Sequence, residues 1–205
     1  MRKEILENEK TTLLGIDLSG PSNHTDTCMA WRNEQGIIEV DCGCSDAQIM
    51  HWVKQANHCV VVFIDAPLSY QDGGGYRPCD SALRRFLNER GFQRLGVMAP
   101  TMTKMVYLTL RGIALAQQLN KLGATVIETH PGASLLLSGV EADQVFALKN
   151  APLAIQSVQS HWQQLGINFS KALASDHQVM AVQALLTAER WMSGQCYWQC
   201  DQWVV

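Results

Sequence analysis

The chain has 205 residues, of which 47% are hydrophobic and 17% charged, so it can bury the core of a globular domain and is too apolar to be disordered. Its formal net charge of −3 argues against a strongly basic nucleic-acid binder, although a local basic patch is compatible with that average. No apolar run reaches the roughly 18 residues of a membrane helix, and residues 1–10 lack the apolar centre of a signal peptide. We therefore expect a cytoplasmic protein without membrane contact. We also expect one domain over 1–205, with a flexible segment at 1–10.

Apolar and amphipathic runs alternate along the chain and predict an α/β domain with a mixed sheet. The predicted strands cover, in chain order, residues 13–17, 27–31, 37–40, 59–64 and 124–128. The predicted helices cover residues 46–56, 79–89, 104–122, 151–165 and 175–193. The short spacing of the first three strands favours an antiparallel meander. The tail CYWQCDQWVV is expected to form a final strand or a packed extension.

The seven cysteines are an odd number, and in the cytoplasm we expect most of them to be reduced fillers of core and loop positions. Two close pairs, Cys42 with Cys44 and Cys196 with Cys200, leave a zinc–thiolate site as an alternative. Neither pair has the two-residue spacing usual in zinc knuckles, so the pattern favours structural cysteines.

Three predicted strands end in a carboxylate or directly before one, and a chain-breaking segment follows each carboxylate. These are Asp17 before Leu-Ser-Gly-Pro, Asp65 before Ala-Pro-Leu-Ser, and Glu128 before Thr-His-Pro-Gly. In open α/β sheets the carboxyl ends of the strands line the ligand crevice, and clustered carboxylates repel unless a cation joins them. Oxygen ligands suit Mg²⁺ or Mn²⁺. Asp176, at the start of the last predicted helix, is a fourth candidate.

Each acid also has a structural interpretation. Asp17 and Asp65 are able to accept backbone hydrogen bonds from the turns that follow them. Asp176 follows Ser175 and fits a helix cap or a first-turn acid. Glu128 has three candidate cationic partners along the chain, namely Arg77, Arg84 and His130.

Five motifs in order, GIDLSGP, FIDAPLS, RPCDSALR, ETHPGASL and SDHQVMAVQALLTA, resemble the family called domain of unknown function 429 over residues 12–190. Members of that family are regarded as predicted nucleases. The resemblance implies an RNase H-like fold: a mixed five-stranded sheet of order 3-2-1-4-5 with helices on both faces. It also implies that four acids are catalytic and hold Mg²⁺ or Mn²⁺, at the matching positions Asp17, Asp65, Glu128 and Asp176.

The last motif departs from the family pattern at one position. Family members often carry a second acid four residues into the final helix, where this chain has Met180. An acid at 176 and another at 180 would share one helix face. Without the second acid, His177 is the nearest polar candidate, as a metal ligand or as an ordinary exposed histidine.

Basic and polar residues near the same sheet edge are candidates for substrate contact. Arg77 and Arg84 follow the glycine-rich loop 72–75 and are able to bind phosphate as guanidinium groups. The alternative for Arg84 is an ordinary helical ion pair with Asp80, four residues earlier. Ser19 and His130, which follow the first and last acidic strand ends, are the other candidates.

These patterns predict a metal-dependent nuclease that acts on DNA or RNA by a two-metal type of phosphodiester hydrolysis. An ATP- or phosphate-binding protein of the actin and sugar-kinase superfamily is the alternative, although GIDLSG occurs in a single copy and those proteins need two half-domains. A non-catalytic binding protein is the third possibility, favoured by Met180. A homodimer is possible if Trp198 and Trp203 form a partner surface rather than cover the core.

Overall fold

The computed structural model describes residues 11–56, 58–201 and 203–205, so the segment 1–10, predicted to be flexible, lies outside the described residues. The strands are β1 (Thr11–Asp17), β2 (Cys28–Arg32), β3 (Ile38–Cys42), β4 (Cys59–Asp65), β5 (Thr125–Thr129), β6 (Gln199–Cys200) and β7 (Trp203–Val204). They form one sheet of order β3-β2-β1-β4-β5-β7-β6. The predicted order 3-2-1-4-5 is confirmed, within a sheet that is longer than expected.

The sheet is mixed. Strands β1, β4, β5 and β7 are parallel, β2 runs antiparallel to both β1 and β3, and β6 runs antiparallel to β7. The predicted meander is therefore confirmed. The final hairpin, β6 and β7, adds the two strands that the sequence pattern left open as a strand or packed extension.

Helices cover both faces of the sheet. They are α1 (Asp46–Gln55), α2 (Pro78–Asn88), α3 (Met105–Lys121), α4 (Pro131–Leu137), α5 (Ala142–Ala147), α6 (Pro152–Gln164) and α7 (Asp176–Ser193), and a 3₁₀ helix spans Pro21–Asp26. Helices α1 and α3 pack on one face, where Ile49 and Leu115 meet Ile64. Helix α7 packs on the other, with α4, α5 and α6 stacked outside it.

Local sequence explains where several helices begin and end. Ser45 and Ser175 each form a capping box with a glutamine three residues later, at the starts of α1 and α7. Gly194 ends α7 in the left-handed conformation that glycine adopts most readily. Helices α4 and α5 were not predicted, because each is short and the apolar run of α4 is continuous rather than periodic.

Four of the seven cysteines are paired, contrary to the expectation of mostly reduced cysteines. Cys28 and Cys42 face each other on β2 and β3 and form a disulfide. Cys79 of α2 forms a second disulfide with Cys200 of β6. Cys42 is therefore not bonded to its near neighbour Cys44, and Cys200 is not bonded to Cys196.

The tryptophans of the C-terminal hairpin pack inward. The ring centroids of Trp198 and Trp203 lie 5.6 Å apart in an edge-to-face contact. Trp203 is buried against α2, where it joins a cluster with Leu83 and Leu87. The interpretation that these residues cover the core is therefore the one that the fold supports.

Candidate active site

The carboxyl ends of β1 and β4 place Asp17 and Asp65 side by side. The two strands are parallel, and Asp17 is the register partner of Asp65. Register partners project from the same face of a sheet, and here that is the face that α7 covers, since Phe63 of β4 packs against α7 on the same side. The two acids thus occupy the strand edge where open α/β sheets bind ligands.

Both carboxyl groups have pKa values above their ordinary range. Burial, and then the charges of Asp17 and Glu128, raise the pKa of Asp65 well above its ordinary value. Burial also raises the pKa of Asp17, against the opposing hydrogen bond from His177. No lysine or arginine among the described residues lies within the 4.0 Å of an ion pair with Asp65. Burial, and then mutual repulsion, therefore oppose full ionisation of the pair.

Gly15 determines how closely α7 approaches β1. A Cβ at this position would lie 2.3 Å from the carbonyl oxygen of Ala181 and 2.3 Å from the backbone nitrogen of Leu185. Only glycine allows helix and strand backbones to come so near. The close approach brings the first turn of α7 over the end of β1, where His177 Nδ1 donates to Asp17 Oδ2 at 2.6 Å.

The start of α7 also carries the fourth predicted acid. An oxygen of Asp176 lies 4.0 Å from His177 Nε2, and an oxygen of Asp26, from the 3₁₀ helix, lies 3.9 Å from the same nitrogen. The hydrogen bond to Asp17, helped by the charges of these acids, raises the pKa of His177. Met180 is partly buried in the core beneath α7. His177 is thus the residue of this helix that reaches the acidic pair.

Glu128 does not join Asp17 and Asp65. It is the register partner of Ile64 rather than of Asp65, one residue short of the edge. Its neighbour in β5, Ile127, packs with Phe63 on the α7 side, so Glu128 projects from the opposite face. There Arg77 donates to both of its carboxylate oxygens, at 2.8 and 2.5 Å, and the backbone nitrogen of Leu68 donates at 2.8 Å.

Arg77 joins two buried carboxylates rather than facing solvent. Besides Glu128, its guanidinium group binds the fully buried Asp80, with a shortest contact of 2.7 Å, and its backbone nitrogen donates to the same carboxylate at 2.6 Å. Burial lowers the pKa of Arg77, but hydrogen bonds to Glu128 and Asp80 outweigh burial and leave it raised. Burial raises the pKa of Glu128 in spite of Arg77. Of the partners considered for Glu128, the structure selects Arg77.

The other residues predicted to contact substrate have local structural partners. The Ser19 hydroxyl donates to the carbonyl oxygen of Asn23 at 2.8 Å within its own loop. Arg84 is exposed and stacks over the ring of Tyr76, 4.4 Å from the centroid, rather than pairing with Asp80. The remaining candidate for substrate contact, His130, caps α4.

His130 holds two loops together as a neutral imidazole. Its Nδ1 accepts from the backbone nitrogen of Ala133 at 3.4 Å, and its Nε2 lies 3.2 Å from the carbonyl oxygen of Gly96. This pattern requires a proton on Nε2 and none on Nδ1. Burial lowers the pKa of His130, which agrees with the neutral form.

A cavity of about 300 Å³ lies at this strand edge. Asp17, Asp65, Glu128 and His130 line it, together with Lys149. The ammonium group of Lys149 is on an exposed residue and lowers the pKa of Asp65, against the larger effects of burial and the neighbouring acids. No sequence pattern pointed to Lys149, because it lies in a turn outside every motif.

Comparison with known protein families agrees with this arrangement of motifs. The model of the family described as "Protein of unknown function (DUF429)" matches residues 15–202. The chain belongs to the DUF429 family. No curated protein and no solved structure matches it. In the part of this DUF429 protein that the structure describes, no helix combines the length and apolar character needed to cross a bilayer.

The acidic pair of this DUF429 protein fits a hard divalent cation. Mg²⁺ is commonly held by one or two carboxylates with water completing its shell, and Asp17 and Asp65 supply that donor set. Glu128 is engaged by Arg77 on the other face, and Asp176 lies beyond His177. Among the described residues, three metal-ligating side chains have atoms within 4.8 Å of one another only at Cys79, Cys200 and Asp201. The candidate centre is thus a two-carboxylate site rather than a four-carboxylate one.

Proposed function

We propose that this protein hydrolyses phosphodiester bonds of nucleic acid with a divalent cation, Mg²⁺ or Mn²⁺, held by Asp17 and Asp65. One observation carries the proposal: two carboxylates are register partners at the ends of adjacent parallel strands, and no described cationic side chain pairs with Asp65. The choice of nucleic acid rests on the resemblance of the motifs to predicted nucleases. The strand order 3-2-1-4-5 with its antiparallel meander supports an RNase H-like assignment in the same way.

The chain's own residues have definite roles in this proposal. A bound divalent cation would supply an acidic water and would stabilise negative charge on the phosphoryl oxygens. Asp17 is fixed in orientation by His177, and Asp65 lies beside it. Lys149, on the rim of the cavity, is placed to attract a phosphate group. Glu128 and Arg77 also line the cavity, and since Arg77 binds both carboxylate oxygens of Glu128, we assign the cation to Asp17 and Asp65.

The test is a nuclease assay with matched variants. Purified protein is incubated with labelled single- and double-stranded DNA and RNA, with Mg²⁺ or Mn²⁺ and with excess chelator. Asp17→Asn and Asp65→Asn should each lower the rate by about 100-fold or more. Asp41→Asn is the control, because Asp41 is an exposed acid on β3 of the same sheet.

The results separate the proposal from its alternatives. Cleavage that requires the cation, survives in Asp41→Asn and disappears in both site variants supports it. Equal cleavage by wild type and site variants would show a contaminating nuclease and sink the proposal. Thermal stabilisation by ATP, with no cleavage, would instead favour the nucleotide-binding alternative.

One contact favours a second candidate mechanism, in which a histidine acts as the general base. The 2.6 Å hydrogen bond between His177 and Asp17 resembles the acid–histidine pairs that orient a general base. In that case His177 would accept the proton of the attacking water without a metal. Hydrolysis that persists in excess chelator and is lost in His177→Gln would support this candidate, whereas loss of activity with chelator supports the first.

A further inference from the structure

Two cysteines and one aspartate meet at the junction of α2 and the C-terminal hairpin. Cys79 lies in the first turn of α2, Cys200 ends β6, and Asp201 follows in the turn to β7. Their ligand atoms all lie within 4.8 Å of one another, and Cys79 Sγ is 3.5 Å from Asp201 Oδ2. The Cα atoms of the two cysteines are 5.8 Å apart. The backbone thus holds two bonded cysteine sulfurs and a carboxylate close together.

The carboxylate of Asp201 lies beside the sulfur of Cys79. Its φ of +52° belongs to the tight turn between β6 and β7, where aspartate tolerates the left-handed conformation that such turns require. A neutral disulfide gives a carboxylate no electrostatic benefit, and no lysine or arginine of the described chain forms an ion pair with Asp201. A cation bound between the three side chains would give this carboxylate a partner of opposite charge.

We propose that the reduced protein binds Zn²⁺ through Cys79, Cys200 and Asp201. Thiolate sulfurs favour Zn²⁺ over the hard cations suited to Asp17 and Asp65. Three protein ligands with one open position are the usual donor number of a zinc site that binds a further molecule. The proposal is independent of the nuclease proposal, since Asp17 and Asp65 do not line this cavity.

The three proposed ligands line a cavity of about 560 Å³, together with Arg77, Glu128 and Trp203. A small molecule with an oxygen or sulfur donor would therefore be able to complete the zinc shell. Binding would also fasten the C-terminal hairpin to α2, over Arg77, whose guanidinium carbon lies 5.1 Å from the ring centroid of Trp203.

A thiol reductant such as glutathione is able to reduce the Cys79–Cys200 disulfide before zinc binds. Two reductant thiols give two electrons and two protons to the Cys79–Cys200 disulfide, which becomes two thiols while the reductant becomes its own disulfide. Zn²⁺ binding then forms two Zn–S bonds and one Zn–O bond and releases the two thiol protons to solvent. Disulfide and zinc are thus mutually exclusive states of the same two cysteines.

Co²⁺ is the probe for the experiment, because thiolate ligation gives it a charge-transfer absorption band. The full chain is reduced with a phosphine, which supplies no thiolate, and titrated with Co²⁺ and then Zn²⁺. We expect a saturable thiolate band that Zn²⁺ removes. The oxidised protein should give no band, since its two sulfurs are joined.

Variants test which residues bind. Cys79→Ser should remove most of the band and weaken binding by about 100-fold, whereas Asp201→Asn should keep the band and weaken binding by roughly tenfold. Asp201 is exposed, so its variant is expected to fold. Cys196→Ser and Cys28→Ser are the controls, because they remove a free cysteine of the same C-terminal segment and a cysteine of the other disulfide.

Two results would overturn the proposal. The first is the absence of a thiolate band in the reduced wild type, with its fold verified by circular dichroism. The second is a band that persists in Cys79→Ser or disappears in either control variant, since the metal would then be held by other cysteines.

Discussion

Replacing Asp65 by asparagine should stabilise the metal-free protein. The side chain of Asp65 lies beside that of Asp17, in register on the next strand. With strands about 4.8 Å apart, two full charges at an effective dielectric constant of about 20 repel by about 3 kcal/mol. Asparagine removes one charge and keeps the size and polarity of the side chain. We expect a gain of about 1–3 kcal/mol, less than the full repulsion, because the raised pKa of Asp65 lets protonation relieve part of it.

The raised pKa of Asp65 also determines how the stability gain of Asp65→Asn changes with pH. Because the pKa of folded Asp65 is raised above its ordinary value of 3.8, ionising Asp65 costs more free energy in the folded than in the unfolded state. Wild-type stability should therefore decline as pH rises through the folded pKa, whereas the variant should lack this decline. The advantage of Asp65→Asn should grow with pH and then level off.

The assay is thermal unfolding with excess chelator across a pH series. For a chain of this size about 1 kcal/mol corresponds to roughly 2–4 °C, so the midpoint of Asp65→Asn should rise by roughly 2–12 °C. Asp41→Asn, an exposed acid, should change little. A variant no more stable than wild type at any pH would refute the reasoning, because ionised Asp65 would then be compensated by the protein. Added Mn²⁺ should stabilise wild type and not the variant.

Three other changes test the structure around the site. Arg77→Met should lower the free energy of unfolding in urea by about 3–5 kcal/mol, because two buried carboxylates lose their cation. Gly15→Ala should lower the thermal midpoint through a loss of about 3 kcal/mol, since its Cβ would meet the α7 backbone. His177→Gln should lower the free energy of unfolding in urea by about 1 kcal/mol below pH 6.5, the ordinary pKa of histidine. This loss should vanish as pH rises through the raised pKa of His177, because the histidine is then neutral in the wild type. Equal losses at acid and alkaline pH would contradict the ion pair with Asp17.

Local sequence was sufficient for most of the elements. Strands β1 to β5 and five of the seven helices follow apolar periodicity, which depends on neighbours in the chain. The motif order also indicated the family. Helices α4 and α5 were missed, since one is buried on nearly all sides and the other is barely more than a turn long, and neither condition leaves a periodic pattern.

Tertiary structure decided which acids meet. The sequence located Asp17, Asp65 and Glu128 at strand ends, but side chains alternate between faces, so a shift of one residue in register sends Glu128 to the opposite face. Register depends on hydrogen bonds between strands far apart in the chain.

Contacts between segments far apart in the chain were likewise not predictable from local sequence. The sequence identified Met180 as a departure and His177 as a candidate, yet the bond from His177 to Asp17 joins residues separated by 160 positions. It forms because Gly15 lets α7 approach β1. The pairing of Cys79 with Cys200, 121 positions apart, likewise depends on where the last hairpin packs. Residue types and local periodicity set the elements of this protein, and packing between elements determined which side chains share a site.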